Sequence, residues 1–379
     1  MTTEPSRPAK ATALALAGVT ADAEIVLCVG PGGVGKTSTA AAIAIHGASQ
    51  GRNVAVVTID PARRLADALR LAGALSNQPQ RVPGPWPGSL DALMLDTKDT
   101  FDELVARYAS DDEQRQRILG NRFYRNVSNA LSGTQEYMAG EKLYELHSSG
   151  RYDLVVVDTP PSRNALDFLD SANQLARLLD HRVYRVMTSP GRGVGRALNL
   201  AAQAVLRRAA RVVGAEVIDD AIAFFAAFEG LEAGFRNRSQ HVRTVLASER
   251  AAFVLVATPR LDTVGEALHF VDQLASHKIR VRGLVVNRLH PRFSGPGEAE
   301  ARQTAARLGG KVGTMYTNLA DFAALTHREE GAVDTLVDRI GSVAVARVPL
   351  FDDDVHDLDG LRRIASHLFE SASIHQAPD

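Results

Sequence analysis

The chain has 379 residues, of which 45% are hydrophobic and 23% are charged, a balance typical of globular proteins with one or two domains. Its net charge of −1 at pH 7 gives no sign of a basic surface, so we expect no nucleic-acid partner. A single cysteine, Cys28, excludes an intramolecular disulfide and argues against a thiolate metal cluster. No apolar run approaches the ~20 residues needed to cross a bilayer, so we expect a cytoplasmic protein without a transmembrane segment.

Short apolar runs separated by helical patterns extend through most of the chain. Residues 1–23 are rich in Thr, Ala, Pro and Ser and predict a disordered arm. A strand, "EIVLCVG" (Glu24–Gly30), and an alanine-rich helix over Thr37–His46 follow. "VPGPWPG" (Val82–Gly88) is too rich in proline for regular structure, and a helical pattern covers residues 100–149. The other predicted strands are Asn53–Asp60, Tyr152–Pro161, Ala251–Thr258, Val281–Asn287 and Val343–Leu350.

Continuous apolar strands that alternate with helices indicate a mostly parallel sheet covered on both faces. We therefore predict an α/β fold of the P-loop NTPase type, with a doubly wound sheet flanked by helices. Two stretches without a strand predict an inserted helical subdomain and a second helical excursion. The predicted boundaries are an arm at 1–23, a discontinuous core at 24–174 and 249–372 with the excursion at about 298–341, the helical subdomain at 175–248 and a flexible tail at 373–379.

A phosphate-binding loop joins the first strand to the first helix. "GPGGVGKT" (Gly30–Thr37) matches the pattern G-x-x-x-x-G-K-[ST] in the strand–loop–helix context that the motif requires. Its glycines let backbone N–H groups converge on one point, to which the positive end of the helix adds. We predict that Lys36 reaches the β- and γ-phosphates of ATP and that the Thr37 hydroxyl binds Mg²⁺. The predicted nucleotide-binding residues here are Gly32, Gly33, Val34, Gly35, Lys36, Thr37 and Ser38.

Two aspartates end apolar strands. Asp158 ends "YDLVVVD", so its carboxylate is expected at the carboxyl edge of the sheet, as a second ligand of Mg²⁺ directly or through water. Asp60 ends another strand in "TIDPARRLADAL", and Pro61 fixes the turn that follows. In one interpretation this turn aims Asp60 at the γ-phosphate side; in the other it is an ordinary Asp-Pro turn. The residues alone favour neither interpretation.

Several segments resemble one family of ATPases. "GPGGVGKTST", "TIDPARRLADAL" and "VVVDTPPSRNALDFL" are similar to the arsenical-pump and tail-anchored-protein-targeting ATPases. This ArsA-like or "anion-transporting ATPase" family belongs with the MinD- and ParA-type P-loop NTPases. "GLVVNRLHP" and "VPLFDDDVHDLDGL" extend the resemblance from about Glu24 to about Phe369. "TQEYMAGEKL" and "DTPPSRNALDFLD" look closest to actinobacterial members, which tend to occur as two unlike paralogues.

The resemblance implies roles for individual residues. Asp60 matches the aspartate that orients the attacking water, and Asp158 matches the aspartate behind the water ligands of Mg²⁺. Asn287 matches an asparagine that reads adenine, and Pro349 and Leu350 match the loop that covers the base. Members of the family are dimers whose nucleotide sites face each other, and ATP closes the dimer.

One position departs from the family. The family loop reads G-K-G-G-x-G-K-T, and its first lysine reaches into the partner's site, but this chain has Pro31 there, without charge or N–H. Three interpretations remain: a lysine-bearing paralogue completes the site in a heterodimer, Arg63 or Arg64 supplies the cation, or the chain is a catalytically weak, ATP-sensing subunit. We favour the heterodimer, because the implied catalytic residues Asp60 and Lys36 are both kept; a homodimer stays open.

The sequence does not identify a client. With one cysteine the chain has no arsenite site, and it lacks the CxxC motif and the methionine-rich groove of tail-anchored-protein-targeting members. We interpret Phe224, Phe225, Phe228 and Phe235 as the core of the helical subdomain, with a client groove or dimer contact as the alternative. The basic and apolar stretch Ser189–Val213 leaves peripheral membrane contact open, and a ParA- or MinD-like positioning ATPase is the weaker alternative function.

Overall fold

An eight-stranded sheet lies at the centre of the part of the chain that the computed structural model describes, namely residues 16–60, 64–127, 134–160, 215–227 and 230–369. Its strands are β1 (Ile25–Val29), β2 (Asn53–Thr58), β3 (Gln80–Arg81), β4 (Ser89–Met94), β5 (Leu154–Asp158), β6 (Ala251–Ala257), β7 (Val281–Leu289) and β8 (Ala344–Pro349). The order is β3-β4-β2-β5-β1-β6-β7-β8, and only the β3–β4 pair is antiparallel. The predicted α/β fold with a mostly parallel sheet is confirmed.

Helices cover both faces of this sheet. Before β6 they are α1 (Leu16–Thr20), α2 (Lys36–Ser49), α3 (Arg64–Ala68), α4 (Thr97–Tyr108), α5 (Asp112–Leu119), α6 (Arg122–Val127), α7 (Thr134–Ser148), α8 (Ala215–Ala227) and α9 (Glu232–Leu246). After β6 they are α10 (Leu261–Ser276), α11 (Glu298–Leu308), α12 (Gly310–Ile340) and α13 (Leu358–Phe369). The numbering counts only elements within the described residues.

The fully buried strand β1 shows why the apolar runs are continuous. Ile25, Leu27 and Val29 pack into one hydrophobic core, and Val26 and Cys28 pack into the core on the opposite face. Helices α2 and α13 close the Cys28 side, whereas α4, α7, α9 and α10 close the other. A strand with both faces covered has no solvent-facing positions, so its sequence does not alternate.

Strands β3 and β4 escaped prediction. In β4 the apolar run is broken by Asp91, which is buried and paired with Arg81 of β3 at 3.0 Å. The hydroxyl of Tyr152 donates a further hydrogen bond to Asp91 at 2.9 Å. A charged residue in the middle of a short apolar run predicts a loop. The partners that stabilise Asp91 inside the strand are far from it or in another element, so the sequence pattern does not show them.

The predicted disordered arm ends earlier than expected. Residues from Leu16 onward belong to the fold, because α1 buries Leu16 and Val19 against the Cys28-side core. Gly283 of β7 makes room for this helix: a Cβ atom there would lie 2.6 Å from Cδ1 of Leu16. Predictions for residues 1–15 and 373–379 lie outside the described residues.

The described part of the predicted helical subdomain is helical, at α8 and α9. Phe235 is 2% exposed, and Phe224 stacks on Tyr124 with ring centroids 6.0 Å apart. Phe235 belongs to the main core and Phe224 packs against it, so these two contribute to the core that covers one face of the sheet. The side chain of Phe225, residue Phe228 and the stretch 161–214, with the predicted membrane-surface helix, lie outside the described residues.

The second helical excursion forms the hairpin of α11 and α12, within the predicted limits of 298–341. Among the described helices, none is both long enough and apolar enough to cross a bilayer.

Candidate functional site

The loop between β1 and α2, residues 30–37, is here called the phosphate loop, and three glycines fix its shape. Gly30, Gly33 and Gly35 have φ angles of 140°, 73° and 96°, in the region that favours glycine. A Cβ atom at Gly30 would lie 2.2 Å from the carbonyl oxygen of Val256, and one at Gly35 would lie 2.3 Å from Nδ2 of Asn287. The loop therefore depends on strands β6 and β7 as well as on its own sequence.

Lys36 lies inside the phosphate loop. It is 6% exposed, and its Nζ donates to the carbonyl oxygens of Gly30 at 3.0 Å and Pro31 at 2.8 Å. Burial lowers the pKa of Lys36, while the nearby carboxylates of Asp158 and Asp60 act in the opposite direction. Helix α2 begins at Lys36, and no side chain caps its first N–H groups. Such an end of a helix binds phosphate.

Asp158 offers an oxygen that the protein leaves unbonded. Its Oδ2 accepts hydrogen bonds from the hydroxyls of Thr37 at 2.8 Å and Thr58 at 2.9 Å. Its Oδ1 is buried and has no hydrogen-bond partner among the described residues, an arrangement that costs free energy. A carboxylate oxygen beside a threonine hydroxyl is a donor set that suits Mg²⁺, which commonly takes its other ligands from water and substrate phosphates. The predicted pair Thr37 and Asp158 therefore fits a magnesium ion.

Burial raises the pKa of Asp158 to about 6, although hydrogen bonds from Thr37 and Thr58 and the charge of Lys36 lower it. The unfolded value is about 3.9, so the nucleotide-free fold binds the Asp158 proton more tightly than the unfolded chain does. The stability that this proton contributes is complete below about pH 4 and is lost as the pH rises through about 6.

We therefore expect the Asp158→Asn variant, which cannot ionise, to gain stability relative to wild type as the pH rises from 4 to 8. The gain in the free energy of unfolding should be about 2–3 kcal/mol, measured by urea denaturation in EDTA without nucleotide. Asp67→Asn, which removes an exposed carboxylate near the same site, is the matched control. Parallel pH profiles for wild type and Asp158→Asn would contradict the expectation.

Thr58 connects the two predicted aspartates. It ends β2 directly opposite Asp158 of β5, to which its hydroxyl donates. The same hydroxyl accepts a hydrogen bond from the backbone N–H of Asp60 at 3.2 Å. The carboxylate of Asp60 lies 3.7 Å from the guanidinium of Arg64. Thr58 was missed in the sequence analysis, because its importance comes from the pairing of β2 with β5.

Helix α7 contacts both this site and the helical subdomain. Nε2 of Gln135, in its first turn, donates to the carbonyl oxygen of Ile59 at 2.9 Å. Further along, Glu141 forms an ion pair with Arg238 of α9 at 2.6 Å, and both side chains are buried. The Arg238 guanidinium also lies 4.0 Å from the ring centroid of Tyr108. One helix thus joins the residue before Asp60 to α9.

An open cleft of about 420 Å³ lies over the phosphate loop. This volume is within the range of small-molecule pockets. Six residues that the sequence analysis did not select also line it: Asp67, Ala68, Thr159, Arg288, Val355 and His356. The predicted site residues that line it are Gly33, Gly35, Lys36, Thr37, Ser38, Asp60 and Arg64.

The residues predicted to contact adenine are Asn287, Pro349 and Leu350, and they lie at the ends of two different strands. Nδ2 of Asn287 donates to the carbonyl oxygen of Val34 at 2.8 Å, so this side chain holds the phosphate loop. Pro349 ends β8, and the N–H of Leu350 donates to the carbonyl oxygen of Leu289 in β7. The chain lines the cleft a few residues later, at Val355–His356.

Pro31 contributes only a carbonyl oxygen to the site. Its side chain is buried, and its oxygen accepts a hydrogen bond from Lys36. Of the two arginines considered as substitute cations, the Arg64 side chain is 65% exposed and lies beside Asp60. Arg63 lies outside the described residues.

Comparisons with known proteins agree with the resemblance seen in the motifs. The model of the anion-transporting ATPase family matches residues 23–306. The ATPase GET3 of Malassezia globosa is 26% identical over 265 residues, covering 70% of this chain and 72% of that protein. The ATPase ASNA1 homolog 1 of Paramecium tetraurelia is 21% identical over 356 residues and covers 92% of both chains. Protein Rv2184c of Mycobacterium tuberculosis is 36% identical over 162 residues, covering 40% of this chain and 38% of its own. The chain belongs to the anion-transporting ATPase family and is an ATPase with a mostly parallel α/β fold.

Proposed function

We propose that the chain binds Mg-ATP in the cleft above the phosphate loop and hydrolyses it as a dimeric switch. The observation that carries this proposal is the unbonded Oδ1 of Asp158, whose other oxygen accepts from the Thr37 hydroxyl, together with the buried ammonium of Lys36. Two candidate metal ligands and a candidate phosphate-binding cation are thus neighbours, Lys36 and Thr37 at the start of α2 and Asp158 at the end of β5. A merely structural glycine turn has no need of this combination.

The chain's residues divide the work as follows. Lys36 exchanges its bonds to two loop carbonyls for the phosphates, and the first N–H groups of α2 bind the same anion. Thr37 and Asp158 hold the magnesium ion, which, when bound, neutralises charge that develops on the phosphate oxygens. Because Mg²⁺ needs an ionised carboxylate, the raised pKa of Asp158 makes binding weaker below about pH 6.

Asp60 is the residue proposed to orient the attacking water. It follows β2 at the carboxyl edge of the sheet, lines the cleft and is tied to the metal side by the Thr58 hydroxyl. A carboxylate in this position accepts a hydrogen bond from water and holds it in line with the phosphate. Arg64, at 3.7 Å, balances the charge of Asp60 and is therefore a poor candidate for the missing cation.

Pro31 is the reason to propose a partner. Nothing at this position carries a charge, and the proline is buried in the isolated chain. A cation that stabilises the transferring phosphoryl group changes the rate of such reactions by several orders of magnitude. We propose that a paralogue with lysine at the equivalent position supplies this cation across a dimer interface. Only this chain's site would then be complete, because Pro31 offers nothing to the paralogue's site.

Turnover and binding measured separately test this function. We expect the purified chain to bind Mg-ATP, detected by calorimetry, and to hydrolyse it slowly, and we expect a lysine-bearing paralogue to accelerate hydrolysis about 10²-fold or more. Fast hydrolysis by the chain alone would reject the paralogue's lysine. Absence of nucleotide binding would reject the function itself.

A weakly catalytic, ATP-sensing subunit is the second candidate, and Pro31 is again the observation that favours it. In that case the chain would bind Mg-ATP and the paralogue would hydrolyse ATP at its own site. Adding the paralogue would then leave turnover at this chain's site unchanged. A Lys36→Ala variant of this chain, paired with the wild-type paralogue, separates the two sites.

A further inference from the structure

Arg288 stands out through its backbone. Its φ angle is 60°, in the left-handed region that an arginine occupies only at a cost in free energy. The other described non-glycine residues with positive φ are Arg70 and Lys278, and neither lines the cleft. Unusual backbone of this kind collects at sites where a side chain must be aimed. At the end of β7, it aims Arg288 at the phosphate loop.

Three hydrogen bonds fix that direction. The Oδ1 of Asn287 accepts from the N–H of Arg288 at 2.9 Å, while the Nδ2 of Asn287 holds the carbonyl oxygen of Val34. Nη1 of Arg288 then donates to the carbonyl oxygen of Gly33 at 3.2 Å. The guanidinium therefore lies at the rim of the phosphate loop, from a strand that is two places away in the sheet.

Of the lysine and arginine side chains that line the cleft, Arg288 has the charge that is least engaged by the other described residues. Lys36 is enclosed by loop carbonyls, and Arg64 lies beside the Asp60 carboxylate. Arg288 is exposed, bonds to a neutral carbonyl and has no carboxylate within ion-pair distance among the described residues. A guanidinium has five N–H donors in a planar fork, so one bond to Gly33 leaves donors for a phosphate oxygen.

We propose that Arg288 is a nucleotide-binding residue that donates to the phosphate chain of the bound nucleotide while keeping its bond to Gly33. The inference rests on the proposed binding of Mg-ATP in this cleft. Arg288 acts on binding, whereas the paralogue's lysine acts on the rate, so the two cations have separate functions. Arg288 also explains how a chain with Pro31 keeps affinity for nucleotide before a partner arrives.

Calorimetry with Mg-ATP and with inorganic triphosphate on the full chain tests this role. We expect Arg288→Ala to weaken both about 10-fold or more, the usual effect of losing a charged hydrogen bond. Arg288→Gln keeps a donor but loses the charge and should behave like alanine, whereas Arg288→Lys should recover part of the affinity. The salt dependence of the dissociation constant should become shallower for the alanine and glutamine variants only.

Arg282→Ala is the matched control. Arg282 lies on the same strand and also donates to a backbone carbonyl, that of Glu249 at 2.7 Å, but away from the cleft. We expect wild-type affinity for Arg282→Ala. Wild-type affinity for Arg288→Ala, or for Arg288→Gln, would overturn the inference and leave the proposed function intact.

Failure of the wild-type chain to bind Mg-ATP would overturn the inference together with the proposed function. Thermal unfolding without nucleotide shows whether each variant is folded. If Arg288→Ala is unfolded, the affinities of Arg288→Lys and Arg288→Gln for Mg-ATP test the inference instead. Equal affinities for these two variants would exclude a charge-dependent role.

Discussion

Replacing Asp60 by asparagine is expected to lower ATP turnover by about 10²-fold or more while Mg-ATP binds within about threefold of wild type. Asparagine has the shape of aspartate, so the hydrogen bond from the backbone N–H of residue 60 to the Thr58 hydroxyl is kept. It loses the carboxylate proposed to orient water, and the Thr37–Asp158 pair proposed to hold the metal is left in place. The effect should therefore appear in kcat and not in the dissociation constant. Turnover is measured with saturating nucleotide, and with the lysine-bearing paralogue present if the chain alone is slow.

Asp67→Asn is the control for a general loss of negative charge. Asp67 also lines the cleft, but it lies on α3 and is exposed. We expect less than about a tenfold change in turnover for this variant. An Asp60→Asn variant that turns over ATP at the wild-type rate would remove Asp60 from the mechanism, whereas a loss confined to binding would make it a nucleotide ligand.

Replacing Pro31 by lysine is expected to raise the ATP turnover of the isolated chain by about 10²-fold or more. If two copies of the chain meet through their cleft faces, each variant copy supplies the other with the missing cation. The gain should fall on dilution, because the lysine acts only within a dimer. Steady-state turnover as a function of protein concentration measures both effects.

Pro31→Ala and Pro31→Gln separate the charge from the loss of the proline ring. Both free the backbone, yet neither carries a cation, so we expect wild-type turnover for both. A gain with Pro31→Ala equal to that with Pro31→Lys would show that loop flexibility limits the rate. No gain with Pro31→Lys, although the variant binds Mg-ATP and forms dimers, would reject the idea that this position lacks only a charge.

The fold was predictable where a continuous apolar run in the sequence corresponds to a strand buried on both faces. Strands such as Leu154–Asp158 are covered on both faces, so their apolar runs stand out without any knowledge of neighbours. Ser89–Met94 did not stand out, because its central Asp91 is stabilised by Arg81 and Tyr152, which come from other elements. The helix that begins at Leu16 was not predicted, because the composition of residues 1–23 is typical of disordered arms.

The phosphate loop was predictable because all its parts are adjacent in sequence. Thr58 and Arg288 were not, because their importance comes from strands that approach the loop only after folding. Arginine is also the common cation of this chain, since only six of its 43 basic residues are lysines. In such a composition, position and backbone conformation identify a functional arginine, and residue type does not.

Helix α7 connects two parts of the molecule through one contact near its start and one further along. Its contact with Ile59 and its ion pair with Arg238 are about 9 Å apart along the axis, at 1.5 Å per residue. Breaking a buried ion pair costs about 3–5 kcal/mol. The Glu141–Arg238 contact between α7 and α9 should therefore persist when the helices move slightly. If nucleotide binding displaces the residues beside Asp60, α7 is the described helix through which that displacement would reach α9.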